Sequence, residues 1–193
     1  ASVCGAPAKT AFVRRIDSEP PLMIKGRDSL RPENSGDPED MKILRLPVQP
    51  LTRESFAPYG IVIDRRGSVE IDLGGGTPSM TGATAERRPF RFEFMARHQQ
   101  TMQVFSPLVG SRAIIAVAPP NDRQAPDLDK IAAFLVDGRW PYAYHRGTWH
   151  TPPFPIDEWA SYLVVDRQGT LEEDYELVDL RATYGCAFEF DLP

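Results

Sequence analysis

A chain of 193 residues, 41% hydrophobic and 25% charged, is long enough to bury one core and has the balance of a globular domain. Its net charge of −5 excludes a global basic field for nucleic acid or anionic lipid. No apolar run nears the roughly 18 residues that span a membrane, and 19 prolines exclude long uninterrupted helices.

Residues 1–40 hold five prolines, a single aromatic (Phe12) and no sustained apolar period. Such a stretch buries too little apolar surface to offset its ordering entropy, so a disordered N-terminal extension is expected, followed by a single domain over 41–193. Met41 reads as a natural start, which leaves residues 1–40 as a tail, a targeting extension or an upstream reading of the start. Targeting is disfavoured by seven acids before position 41. No hydrophobic h-region precedes the domain, so a cytoplasmic location is expected. Cys4 and Cys186 lack C-x-x-C spacing, and reduced thiols are the plainer reading over a disulfide between them.

From residue 42 short strands dominate. Met41–Pro47 opens with one, and Thr52–Phe56 reads as a capped helical turn ended by Pro58 and Gly60. Strands are predicted at Gly60–Ile63, at Ser68–Leu73, and across Phe90, Phe92 and Phe94, whose alternation with Arg91 and Glu93 turns an aromatic face inward. Further strands are predicted at Met102–Ser106 and at Ala113–Ala118, the latter apolar enough for burial on both faces. Leu128–Val136 reads as one helical turn leading into a strand. Tyr162–Val165, Tyr175–Val178 and Ala187–Phe190 supply the last ones. Gly74–Pro78 is a loop without dinucleotide-binding spacing, and the basic run Glu86–Arg91 is read as a solvated strand edge. The fold class expected is all-β, a sandwich or barrel with a few short helical turns.

All three histidines fall in two compact segments: Arg97-His98 through Gln103, and Tyr144-His-Arg-Gly-Thr-Trp-His150. Imidazole suits both proton transfer near neutral pH and transition-metal binding. His98, Gln103 and Gly110 follow the spacing of the first cupin motif, with Gln in place of Glu and Ala96 at the position of the leading His. His145, Gly147 and His150 follow the second motif, with His in place of Pro.

With its flanks included, the chain resembles the ureidoglycolate lyases. Pro50–Asp64, Arg97-His98 with Gln103, Pro126–Phe134 and above all Tyr144–His150 carry the resemblance, over about residues 41–180. It departs from the pattern at Ala96, where family members commonly have Glu, in the Gly74–Pro78 loop, and at Thr151-Pro152, which replaces a His-Pro.

The resemblance implies a cupin-like β-barrel (a double-stranded β-helix), commonly a homodimer. The implied activity is a carbon–nitrogen lyase of allantoin and purine catabolism that splits ureidoglycolate into glyoxylate and urea. That cleavage removes a hydroxyl proton and protonates the urea nitrogen, work for an acid and a base. His98 and His150 are then expected to face each other as the catalytic pair, with His145 as an alternative proton donor. Arg146 or Arg97 would pair with the substrate carboxylate, Gln103 would orient the ureido group, and Trp149 would wall the pocket. Each also has a structural reading: a hydrogen-bonded core histidine, a rim salt bridge, a core indole. No cofactor is demanded. The one metal set on offer, His98, Gln103 and His150, would hold a divalent transition metal only weakly, because Gln is a poorer ligand than a carboxylate. Two other classes stay open: a non-catalytic cupin binding a small acid, and a metal-dependent cupin acting on a related 2-hydroxy or 2-oxo acid.

Overall fold

The computed structural model describes residues 41–192 together with the backbone of Leu22–Met23; the expectations for the rest of residues 1–40, and for Cys4, lie outside the described residues. In chain order the strands are β1 (Leu22–Met23), β2 (Lys42–Pro50), β3 (Gly60–Val62), β4 (Pro78–Glu86), β5 (Arg91–Phe92), β6 (Phe94–Arg97), β7 (Gln103–Pro107) and β8 (Ala113–Ala118). They continue with β9 (Ala132–Val136), β10 (Tyr142–Tyr144), β11 (Trp149–His150), β12 (Phe154–Pro155), β13 (Trp159–Arg167), β14 (Glu176–Asp179) and β15 (Cys186–Asp191). Three short helices, α1 (Arg53–Phe56), α2 (Thr170–Glu173) and α3 (Leu180–Tyr184), and a 3₁₀ turn at Leu128–Lys130 complete the described elements. None is long and apolar enough to cross a membrane.

The strands form two sheets. One runs β1-β4-β13-β7-β10-β3; the other runs β14-β6-β11-β8-β9-β2-β15-β5, with β12 attached to β8. This is the all-β, cupin-like architecture that the sequence predicts. Strand alternation assigns the faces. Phe105, Tyr142, Tyr144, Tyr162 and Val164 of the first sheet pack with Ile115, Val117, Phe134 and Val136 of the second, filling the space between them. Trp149, Ile114, Ala116 and Met95 point the other way, into a second core completed by Leu46, Phe92, Phe188 and Phe190. The run Ala113–Ala118 serves both cores, and for that reason every one of its residues is buried.

Two elements differ from the sequence prediction. Ser68–Leu73 alternates but forms no strand; Val69 lies over Val104 and Ala143 on the outer face of the first sheet. Asp72 turns the chain by accepting from the Gly74 N–H, and its carbonyl accepts from the Met102 N–H. The strand that the sequence conceals is β4. Its inward residues are Ala83 and Ala85, too small to give a strong apolar period, and nine residue pairs with β13 hold it in place. The Phe90–Phe94 alternation also divides in two, with β5 pairing β15 and β6 pairing β14 and β11. In the basic run, Arg88 is not simply solvated. Its guanidinium lies 3.8 Å from the Phe154 ring centroid and donates to the Pro152 carbonyl, and burial pushes its pKa down to about 10.

α1 is capped as predicted, with the Thr52 side chain accepting from the Ser55 N–H and Ser55 returning the bond to the Thr52 N–H. It delivers Phe56, fully buried, against Phe134 and Tyr142. Gly60 follows because nothing larger fits: a Cβ there would sit 2.0 Å from the Ala143 carbonyl oxygen. Gly60→Ala is therefore expected to cost about 1–3 kcal/mol by forcing β3 away from β10. A lowered urea midpoint at unchanged slope checks it; an unchanged midpoint would refute the close approach.

Candidate active site

β6 and β11 bring the two histidine segments together. His150 pairs across the sheet with Ala96 on one side and with Val117 on the other. Ala96 and His98 share a face by the two-residue period, so His98 and His150 both turn toward the space between the sheets. Their ring centroids lie 5.3 Å apart and the residues are only 4% and 7% exposed. Tyr144, from the facing sheet, stacks on His150 at 4.4 Å and 16°.

The backbone sets the tautomer of each ring. His98 Nδ1 meets the Asp174 carbonyl, and His150 Nδ1 meets the Thr148 carbonyl at 2.9 Å. A carbonyl only accepts, so both Nδ1 atoms carry the hydrogen and both Nε2 atoms keep a lone pair. Burial lowers the pKa of His98, opposed by the Asp174 carbonyl and by the negative charges of Asp174 and Asp166. His150 is pushed down to about 3, first by burial and then by the neighbouring His98, with the Thr148 carbonyl opposing. The two rings are therefore neutral at pH 7, and His98 is the stronger base.

Gln103 lies opposite Tyr144 on β10. Its Nε2 donates to Asp166 Oδ2 at 3.0 Å, leaving the carboxamide oxygen for a further donor. Asp166 is raised in pKa by burial and by Glu172, while Gln103 and the charge on His98 lower it. The sequence reading missed Asp166, although it continues the inward alternation of Tyr162 and Val164. It also missed Asp174, whose carboxylate accepts from the Gln99 and Gln100 N–H groups at 2.7 and 2.8 Å and so fixes the loop carrying His98. No local signal joins residues so far apart in the chain.

The remaining candidates lie elsewhere. His145 sits in the turn after β10, where its Nε2 donates to the Ala57 carbonyl behind α1. Arg97 and Trp149 each precede a site histidine by one residue and consequently face the opposite side of the sheet. There the guanidinium stacks 4.3 Å from the indole and is held by Glu176 and the Asn121 carbonyl. Arg146 is exposed and engaged by Asp72 and the Gln99 carbonyl, both at 2.9 Å.

Three buried phenols share the core between the sheets, and one of them, Tyr144, touches the histidine pair. Tyr142, Tyr144 and Tyr162 are 0%, 2% and 0% exposed; the hydroxyls of Tyr142 and Tyr144 interact with each other, and that of Tyr162 finds no hydrogen-bond partner among the described residues. Burial raises all three pKa values, and Tyr142 feels both neighbours as well. An unpaired buried hydroxyl costs about 1–3 kcal/mol. Among the described residues no three His, Cys, Asp or Glu side chains converge as a metal ligand set. Two imidazoles and a carboxamide already bound to Asp166 do not match the three strong protein donors of a catalytic transition-metal centre.

A sequence model of the ureidoglycolate lyase family matches residues 72–184, more than half of the chain and inclusive of both histidine segments. The chain belongs to the ureidoglycolate lyase family. It is 34% identical over 145 residues to the ureidoglycolate lyase of Pseudomonas paraeruginosa, covering 65% of this chain and 85% of that one. To a ureidoglycolate lyase of Pseudomonas fluorescens it is 34% identical over 161 residues, covering 69% and 95%. To that of Pseudomonas savastanoi pv. phaseolicola it is 35% identical over 145 residues, covering 65% and 84%. Within this family member, the matched span carries β6, β11 and β13, the strands that deliver Ala96, His150 and Asp166.

Proposed function

We propose that the chain is a ureidoglycolate lyase that splits ureidoglycolate into glyoxylate and urea, with His98 as the base. The observation that carries this reading is the pair of neutral, backbone-oriented imidazoles whose Nε2 lone pairs meet no donor among the described residues, in a chain of this family. His98 Nε2 takes the substrate's hydroxyl proton; the C–O bond becomes the aldehyde carbonyl of glyoxylate as the C–N bond breaks. The imidazolium then returns the same proton to the departing urea nitrogen, so one residue serves as base and then as acid. Asp166, close enough to influence His98, stabilises the transient positive charge. His150 is too weak a base to share the proton, and its Nε2 accepts instead from a ureido N–H, as does the Gln103 carboxamide oxygen. The same reading takes the enzyme as a cytoplasmic homodimer, whose oligomeric half light scattering checks.

The test is purified protein with ureidoglycolate. Glyoxylate and urea are expected in equal amounts. Ammonia in place of urea would make it a hydrolase, and retained glyoxylate binding without turnover would make it a binding module.

A further inference from the structure

We propose that Asp174 is the positioning residue of the histidine pair, holding the His98 ring with its carbonyl and the backbone after His98 with its carboxylate. The two residues are far apart in the chain, and the register of β14 on β6 brings them together. Glu176 lies opposite Arg97. One step further sets Tyr175 beside His98, with their rings 5.8 Å apart, and the next sets Asp174 beside Gln99. There the Asp174 carbonyl accepts from His98 Nδ1, and its carboxylate oxygens accept from the Gln99 and Gln100 N–H groups at 2.7 and 2.8 Å. Asp174 is 5% exposed, and its own N–H is tied to the end of α2 by donating to the Thr170 carbonyl at 3.0 Å.

The two peptide units that follow His98 connect the carboxylate to the aim of the ring. Each has one carbonyl and one N–H, and all four groups are held. The Gly147 N–H donates to the His98 carbonyl at 2.6 Å, and Arg146 Nε donates to the Gln99 carbonyl at 2.9 Å. Asp174 takes both N–H groups. Gln99 and Gln100 are exposed and lie outside any strand, so no sheet ladder stands in for these bonds. A carboxylate has two accepting oxygens for two donors, whereas a carboxamide of the same shape has one and sets its NH₂ against the second N–H. Asp174→Asn therefore loosens the loop that carries the ring while keeping the backbone carbonyl that meets Nδ1. His150 is oriented instead by the Thr148 carbonyl of its own segment, so the substitution reaches one ring of the pair.

The inference rests on the proposed lyase reading only for what His98 does, so its test reads the ring directly. The chain has three histidines, few enough for nitrogen NMR of the full chain at pH 7 to report each imidazole. In the wild type His98 is expected as the Nδ1–H tautomer alone. In Asp174→Asn it should become a mixture of both tautomers, with His150 unchanged as the internal reference. In the same variant kcat for ureidoglycolate should fall about 10–100-fold with KM within about threefold, the pattern of a reacting group misplaced by about 1 Å. A single Nδ1–H tautomer at His98 together with an unchanged kcat would overturn the proposal and leave Asp174 a residue of the fold alone, whatever happens to Tm. Should the variant not fold, the wild type decides. Its Gln99 and Gln100 amides are expected to exchange at least about 10²-fold more slowly than in an unfolded chain. Exchange at the unfolded rate, or an Nε2–H tautomer at His98, would overturn the proposal equally. Failure of the lyase reading is separate: it is the absence of glyoxylate and urea from the wild type while the tautomer and exchange results stand.

Discussion

His98→Asn should lower kcat/KM for ureidoglycolate by about 10²–10⁴, the usual contribution of a positioned general base. The asparagine amide can still donate to the Asp174 carbonyl that now accepts from His98 Nδ1. The loop geometry therefore survives while the lone pair is lost, and an unchanged urea midpoint would separate chemistry from folding. The pH profile adds a second readout. Because burial holds His98 below its ordinary 6.5, the base is already deprotonated there. The wild-type rate should rise with pH along an acid limb lying below 6.5 and be flat above it, and the variant should lack that limb. A variant that keeps its rate, or a limb centred above 6.5, would remove His98 from the mechanism.

The second large effect is on stability in acid. In the unfolded chain His150 titrates near 6.5, whereas in the folded protein its pKa is about 3. Between these values the unfolded state binds a proton that the native state refuses, so stability falls as pH falls. The slope is about 1.4 kcal/mol per pH unit for one such group. Above pH 6.5 both states are neutral and the term vanishes. His98 adds to the loss with the same sign below 6.5. Asp166 opposes it just above 3.8, where its raised pKa favours the native state as acid is added. Asp64 and Asp72, lowered by hydrogen bonds to Arg66 and Arg53 and to Arg146 and Gly74, lose their contribution only below 3.8. Urea midpoints should therefore decline steadily from pH 6.5 to 4, before most carboxylates respond. A flat profile over that range, or an NMR titration of His150 near 6.5, would show that the ring is solvated.

Much of this arrangement was legible beforehand, for reasons that differ by element. Ala113–Ala118 announced its burial because six consecutive apolar residues leave no polar face. The two histidine segments led to the expectation that His98 and His150 face each other, and their ring centroids lie 5.3 Å apart. Residue spacing, however, counts positions and not faces. His145 shares a motif with His150, yet the turn between them, with Gly147 at φ 75°, sends it to the back of α1. Arg97 and Trp149 could have been set aside from the period of two alone, since a residue adjacent to an inward histidine on a strand points outward. Asp166 and Asp174 were not legible in this way. They reach the site through the register of β13 against β7 and through a loop that closes on Gln99 and Gln100. Sequence proximity encodes neither contact.

The single-residue interleaving of Arg97 with His98, and of Trp149 with His150, has an experimental side. The side chains proposed to react and those that support them occupy successive codons, on β11 and at the end of β6. A saturation screen scored only by loss of activity would return an unbroken block of sensitive positions there and imply one large catalytic patch. Scored jointly with cellular abundance, the block should separate by parity. Odd-numbered Arg97 and Trp149 should lose protein, whereas even-numbered His98 and His150 should lose turnover at normal protein levels. That comb pattern is the mutational fingerprint of a reaction centre carried on one side of a wall a single strand thick.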